Sequence, residues 1–185
     1  SSAASDVYKR QLMKEHVLWL NTPSNPGLDK PLPEEYARAR RLRERYYWLQ
    51  QRNVAPLIHD MRWIKEPGEI EKLRQAFAIH SEIYMKMMQA LKPGTNEALG
   101  QAIFEYEVTM RGADVALCLD DYVASVIVAT GANAAVGHYM ANNQEIRDGD
   151  LVLLDAGVAY KGYASDITTT FPANGRFTAR QKDLY

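Results

Sequence analysis

One cysteine, four phenylalanines and a net charge of −1 in 185 residues are what this sequence has least of. A single thiol, Cys118, excludes an internal disulfide and fits a reducing compartment. Between Leu117 and Leu119 it reads as a small buried hydrophobe in preference to a nucleophile. Near-neutral charge leaves no footprint for a polyanion, so nucleic acid is not an expected partner. Apolar runs are short, as in LVLL at 151–154, so no transmembrane helix is expected and the chain should be soluble. The first twenty residues lack the basic-then-apolar order of a secretory signal, which makes the cytoplasm the default location. No repeat with a period of about 20–50 residues is visible.

What is present is ordinary globular material, 46% hydrophobic and 24% charged, sufficient for one domain plus part of another. Residues 1–11, SSAASDVYKRQ, show no periodicity and are set aside as non-native or disordered. HVLWLN at 16–21 reads as a strand, followed by loop chemistry in TPSNPGLDKPLP and by a helix from Pro33 to about Gln51. Five arginines of that helix, with Tyr46, Tyr47 and Trp48, resemble a stacking and phosphate-binding surface. Glu34, Glu35 and Glu44 at helical neighbour spacings favour a solvated, ion-paired face instead.

VAPLIHDMRWI is expected to contain one strand. From Pro67 to Leu91 an amphipathic helix places Ile70, Leu73, Phe77, His80, Tyr84, Met87 and Leu91 on its core side, and Lys92-Pro93-Gly94 ends it. Thr95 is the expected cap of a second helix with Leu99, Ile103 and Tyr106 inward and Gly112 as its left-handed stop. YVASVIVAT at 122–130 reads as a buried strand, GANAA as a turn, and NNQEIRDGD as a polar connection.

The segment that bears most on function is LVLLDAGVAY-KG-YASDITTTF. A two-residue turn at Lys161-Gly162 pairs Tyr160 with Tyr163, Asp155 with Thr168 and Asp166 with Gly157. Period-two alternation then puts both carboxylates on one face, as diagonal neighbours about 7–8 Å apart at the backbone, within reach of a shared cation. Leu154, Val158, Ile167 and Phe171 form the opposite, apolar face. The competing reading is that the aspartates cap loops or accept backbone hydrogen bonds. An odd turn would separate them.

The stretch GANAAVGHYMANNQEIRDGDLVLLDAGVAYKGYASDITTTFP closely resembles the metal-binding core of the creatinase/aminopeptidase "pita-bread" family, which includes proline-specific aminopeptidases and prolidases. MRWIKEPGEIEKLRQAF at 61–77 resembles the start of that family's catalytic domain. The resemblance implies an α+β fold with helices covering a mostly antiparallel sheet, preceded by the tail of an N-terminal α/β domain. It divides the chain into 12–60, a remnant of that N-terminal domain, and 61–185, the first half of the catalytic domain.

The resemblance further implies that Asp155 and Asp166 are ligands to two divalent ions, Mn²⁺ foremost with Zn²⁺ or Co²⁺ as substitutes, and that His138 contacts substrate beside them. A lone His after Gly is otherwise a surface or core residue. Thr169 stands where the family usually has Arg, on the side of the hairpin away from the aspartates. The family's other ligands, one His and two Glu, come from a later part of its domain. On this reading the chain is a fragment, inactive by itself, of an enzyme that removes an N-terminal residue adjoining proline. The whole protein is expected to be a homo-oligomer acting on peptides with proline second. A prolidase acting on Xaa-Pro dipeptides, and a metal-free interaction protein of the same fold, are the alternatives.

Overall fold

The computed structural model describes residues 17–22, 33–116 and 126–185, in two compact units divided between Lys65 and Glu66. The expectations for residues 1–11 and Cys118 lie outside the described residues.

In the first unit β1 (Val17–Leu20) runs parallel to β2 (Gln50–Asn53), with Val17 opposite Gln50 and Leu20 opposite Asn53. The helix α1 (Glu34–Arg45) lies between them in sequence, the crossover a parallel pair requires. Its basic face is ion-paired as expected: Arg40 meets Glu44 at 2.9 Å and Arg41 meets Glu34 at 2.5 Å, all four side chains exposed. Two expectations fail here. The helix stops at Arg45, not near Gln51, because residues 50–53 supply the ladder partner of β1. The strand expected in 54–64 is a helix, α2 (Ala55–Trp63). Pro56 sits in its first turn, where its fixed φ suits a helix and its missing N–H would break a ladder. Asn53 Oδ1 accepts the Ala55 amide at 2.9 Å.

The second unit begins with α3 (Pro67–Ala90), opened by Pro67 and a capping box in which the Glu66 amide donates to Glu69 Oε2 at 2.7 Å. Gly94, at φ +90°, follows its end. The core of this unit gathers Ile83, Tyr84, Met87 and Leu91 with Phe104, Val108, Val128, Ile146, Val152, Leu154 and Val158. His80 joins it as expected, but Ile70 and Phe77 are exposed.

The second helix of this unit is α4 (Glu97–Met110), ending before Gly112 at φ +63°. Its cap is Asn96, whose Oδ1 accepts the Ala98 amide at 2.9 Å. Thr95 instead closes the preceding turn by donating to the Lys92 carbonyl at 2.8 Å. The buried stripe is Glu97, Gly100, Phe104 and Val108, whereas Leu99 and Tyr106 are exposed. Ile103 packs against the core as expected, but apolar periodicity misplaced the rest of the face because two inward positions carry no apolar side chain. Gly100 is there for proximity: an added Cβ would lie 2.9 Å from Val128 Cγ2.

Two three-stranded sheets complete the unit. One orders β4 (Ile127–Thr130), β5 (Leu151–Ala156) and β8 (Ile167–Pro172); the other orders β3 (Asp114–Val115), β6 (Val158–Tyr160) and β7 (Tyr163–Ala164). Every pairing in both is antiparallel. The strand expected over 122–130 is thus seen for 127–130, all four residues buried, and its start lies outside the described residues. GANAA forms a turn of 3-10 helix, Gly131–Ala135. A short helix, α5 (Ala179–Leu184), ends the chain.

Candidate metal centre

Strands β5 and β6 form one arm of a hairpin and β7 and β8 the other. Tyr160 faces Tyr163 at the tip and Asp155 faces Thr168 lower down, so the same register runs through the interruption between them. Lys161 at φ +50° and Gly162 at φ +83° make the two-residue turn, with both φ values positive as a type I′ turn demands. At the interruption Gly157 is hemmed in: an added Cβ would lie 2.7 Å from Ala116 Cβ and 2.8 Å from the Ser165 carbonyl oxygen. The arms can therefore pass from one sheet to the other without a bulge that would shift Asp166.

The face opposite the aspartates is the core face. Leu154 and Val158 are fully buried, and Ile167 and Phe171 pack against the same cluster. Thr169 pairs with Leu154 on that side. Asp155 is half-buried and accepts the Thr168 hydroxyl at 2.8 Å, which places Thr168 on the aspartate side. Asp166, two residues before Thr168, is exposed. Among the described residues neither carboxylate accepts a backbone amide, so the capping reading finds no support. Both reach one common point electrically. Burial, then Asp155, then Asp166 raise the pKa of the Tyr84 phenol, against a backbone hydrogen bond at Ala156 that lowers it. The Tyr84 hydroxyl donates to the carbonyl of Ile167 at 2.8 Å, beside Asp166 in sequence.

Two oxygen-donor groups, one steadied by a hydroxyl and one with no competing hydrogen bond among the described residues, suit a hard divalent cation. They are two ligands only. No group of three or more His, Cys, Asp or Glu side chains is arranged to hold a metal among the described residues. An open cleft of about 640 Å³ lined by Met88, Lys92, Pro93 and residues 171–175 holds no carboxylate and lies apart from this chemistry.

His138 stands on the segment between β4 and β5, exposed, with the left-handed backbone φ of +52°. That segment returns along the free edge of β4. Asn142 accepts the Val128 amide at 2.9 Å and donates to the Val126 carbonyl at 2.6 Å, taking the place of a neighbouring strand. Between those two residues is Ile127, whose ladder partner is Asp155. The chain just after His138 is thereby fixed beside the residue that faces Asp155.

Three residues around the site escaped the sequence reading. Asn142 is one. Glu97 is another, a fully buried carboxylate that accepts hydrogen bonds from Thr130, Asn133, Tyr139 and Gln144. Burial pushes its pKa up, but the Gln144 amide, then Thr130, Tyr139 and Asn133, hold it below the usual carboxylate range. The third is Ser165, whose Oγ lies 3.0 Å from His80 Nδ1 and accepts the Val158 amide at 3.2 Å, pinning the arms where they cross. His80 Nε2 is buried without a partner among the described residues, and burial lowers the imidazole pKa to about 4. A polar residue inside an apolar stripe, as at Glu97, was the one signal available.

Residues 71–185 match the model of Metallopeptidase family M24. The chain is 42% identical over 130 residues to the Xaa-Pro aminopeptidase of Escherichia coli (strain K12), across 70% of this chain and 28% of that protein. It is 43% identical over 134 residues to Xaa-Pro aminopeptidase 3 of Rattus norvegicus, across 72% of this chain and 25% of the relative. Zinc-substituted E. coli aminopeptidase P in complex with product shares the fold at a TM-score of 0.75 and 31% identity, over 99% of this chain and 41% of its own. The chain thus spans 25–28% of the length of these curated relatives. Helices on antiparallel sheets in the arrangement of aminopeptidase P are the α+β, pita-bread architecture that the sequence led us to expect. The matched region takes in α3 from Glu71 onward, α4, both sheets of the second unit, Asp155, Asp166 and His138, and the chain belongs to metallopeptidase family M24.

Proposed function

We infer that this chain carries the first two carboxylate ligands of a dinuclear divalent-metal site, and that the whole protein is an Xaa-Pro aminopeptidase. It would release the N-terminal residue that precedes proline. The observation that carries this reading is the pair Asp155 and Asp166 on one side of a continuous hairpin register, neither engaged by a backbone amide among the described residues. Membership of the family supports it. Manganese is the ion we assign, with zinc, as in the E. coli relative, or cobalt in its place.

Two such ions, when bound, make a water more acidic and polarise a peptide carbonyl. The chain's own groups do the rest. Thr168 occupies one oxygen of Asp155 and leaves the other for a cation. Asp166 is exposed and accepts no hydrogen bond among the described residues. The apolar underside, Leu154, Val158, Ile167 and Phe171, keeps the acidic side facing outward. His138 would contact the substrate and, with a ring N–H, donate to the oxygen on which negative charge builds. The three further ligands implied by the resemblance lie beyond what these residues supply, so the isolated 185-residue chain should cleave nothing. A cytoplasmic location, supported by the single cysteine, and a homo-oligomeric whole protein belong to the same reading.

Full-length protein loaded with manganese tests it. Elemental analysis should return about two metal ions per chain, and Xaa-Pro-Yaa peptides should be cleaved faster than Xaa-Pro dipeptides. Cleavage confined to dipeptides would make the protein a prolidase. Metal well below stoichiometry with neither peptide cleaved would leave a metal-free interaction protein.

A further inference from the structure

The segment that carries His138 has little to hold it by packing. Val136, Gly137, His138 and Met140 are exposed, and His138 sits in a left-handed conformation that is unfavourable for a non-glycine residue. A conformation of that kind persists only where its surroundings impose it. Tyr139 supplies the constraint next door, its hydroxyl donating to Glu97 Oε2 at 2.8 Å.

Glu97 is unusual in what it binds. Its carboxylate accepts five hydrogen bonds: the Thr130 amide at 2.8 Å, the Thr130 hydroxyl at 2.7 Å, Asn133 Nδ2 at 3.2 Å, Tyr139 at 2.8 Å and the Gln144 amide at 2.9 Å. Among the described residues every donor belongs to 130–144, the last residue of β4 and the stretch that follows it toward β5. No Lys or Arg is among them. A buried carboxylate without a cation is destabilising unless hydrogen bonds replace its hydration, and the first turn of α4 adds a favourable dipole. A core that needed only filling would be served by an apolar residue at this position. The carboxylate gathers a loop.

We propose that Glu97 is a positioning residue for His138, acting through the Tyr139 hydroxyl to set the conformation in which the imidazole meets substrate. The inference rests on the His138 role given above. Glu97 fixes both flanks of the segment, Thr130 before it and Gln144 after it, and Tyr139 ties down its middle. Asn142 then aligns the returning chain along β4, so the chain is anchored before His138 at Asn133 and after it at Tyr139 and Asn142.

The test uses the full-length enzyme with Tyr139→Phe, which keeps the ring and the other four donors to Glu97. The expected result is a fall in kcat of about ten- to a hundredfold, with KM within a factor of about two and a urea midpoint lowered only slightly, by the same amount with or without His138. His138→Ala should itself lower kcat by about a hundredfold, and adding Tyr139→Phe to it should lower kcat no further. Glu97→Gln, which turns an amide toward the Gln144 N–H, should lower both kcat and the urea midpoint. Wild-type turnover in His138→Ala would remove the role of His138 and this inference with it. Lowered turnover in His138→Ala beside unaltered Tyr139→Phe would overturn the inference alone. An equal loss from Tyr139→Phe with and without His138 would overturn it too, since the tyrosine would then act elsewhere.

Discussion

The hairpin of Asp155 and Asp166 and the segment of His138 hold their functional side chains by different means. In the hairpin the backbone ladder does it: once Tyr160 faces Tyr163, every later pair and every side-chain direction follows. Along 131–142 no ladder exists. Side chains from distant parts of the chain, Glu97 above all, tie the loop down one hydrogen bond at a time. Ladder geometry propagates and is all-or-none; side-chain ties are local and can be removed singly.

That difference predicts how each region breaks. One glycine inserted between Lys161 and Gly162 makes the turn odd and sends Asp166 to the core side of the hairpin. Loss of bound metal should be complete, whereas a glycine inserted in the exposed stretch at Gly137 should lower turnover and leave metal content intact. Elemental analysis and peptide turnover on the full-length protein, read side by side, check both. Retained metal in the turn insertion would show that the register does not set the site.

The same contrast explains what was legible in the sequence. Alternation in LVLLDAGVAY and YASDITTTF, with Lys-Gly between, states the ladder openly, and both carboxylates fell where parity put them. The limits of α3 were equally plain, since Pro67 and Lys92-Pro93-Gly94 act within a turn of where they stand. Residues 50–53 and 55–63 were not legible. Strand β2 forms because β1, over thirty residues earlier, offers a partner, and α2 needed Pro56 to be read as a first-turn residue, not as part of an apolar run. The inward face of α4 was hidden because Glu97 and Gly100 are polar or bare. One gathers a loop and the other lets β4 approach. Tertiary requirements of this sort leave no period to detect.

Smaller perturbations sharpen the comparison. Gly157→Ala puts a methyl where Ala116 and the Ser165 carbonyl already stand. Overpacking of this kind should destabilise by about 1–3 kcal/mol, measured by urea denaturation, with metal affinity falling as the arms part. A fully stable variant would mean that the crossing has slack. Thr168→Val removes the hydroxyl that steadies Asp155. Metal affinity should weaken about tenfold in a competition titration with a chelator, with stability hardly altered. Unchanged affinity would show that Asp155 is oriented by the ladder alone.

The least of these effects concerns His80, the neutral imidazole beside Ser165 at the crossing of the arms. Its pKa in the folded protein is about 4, against 6.5 for the ordinary side chain, and burial is the cause. The unfolded chain therefore binds the proton first as pH falls. His80 contributes stability that is present above about pH 6.5 and is lost progressively as pH drops toward 4. From about pH 7 to about pH 6 the loss should be roughly 0.7 kcal/mol, which shifts the urea midpoint slightly. In His80→Phe, which cannot titrate, that part of the slope should vanish even if the midpoint itself moves. Every other titratable group is common to both proteins, so the difference between the two pH profiles isolates the imidazole. Parallel profiles would mean that His80 takes up its proton in the folded state at an ordinary pH, and that the crossing is open enough to admit water.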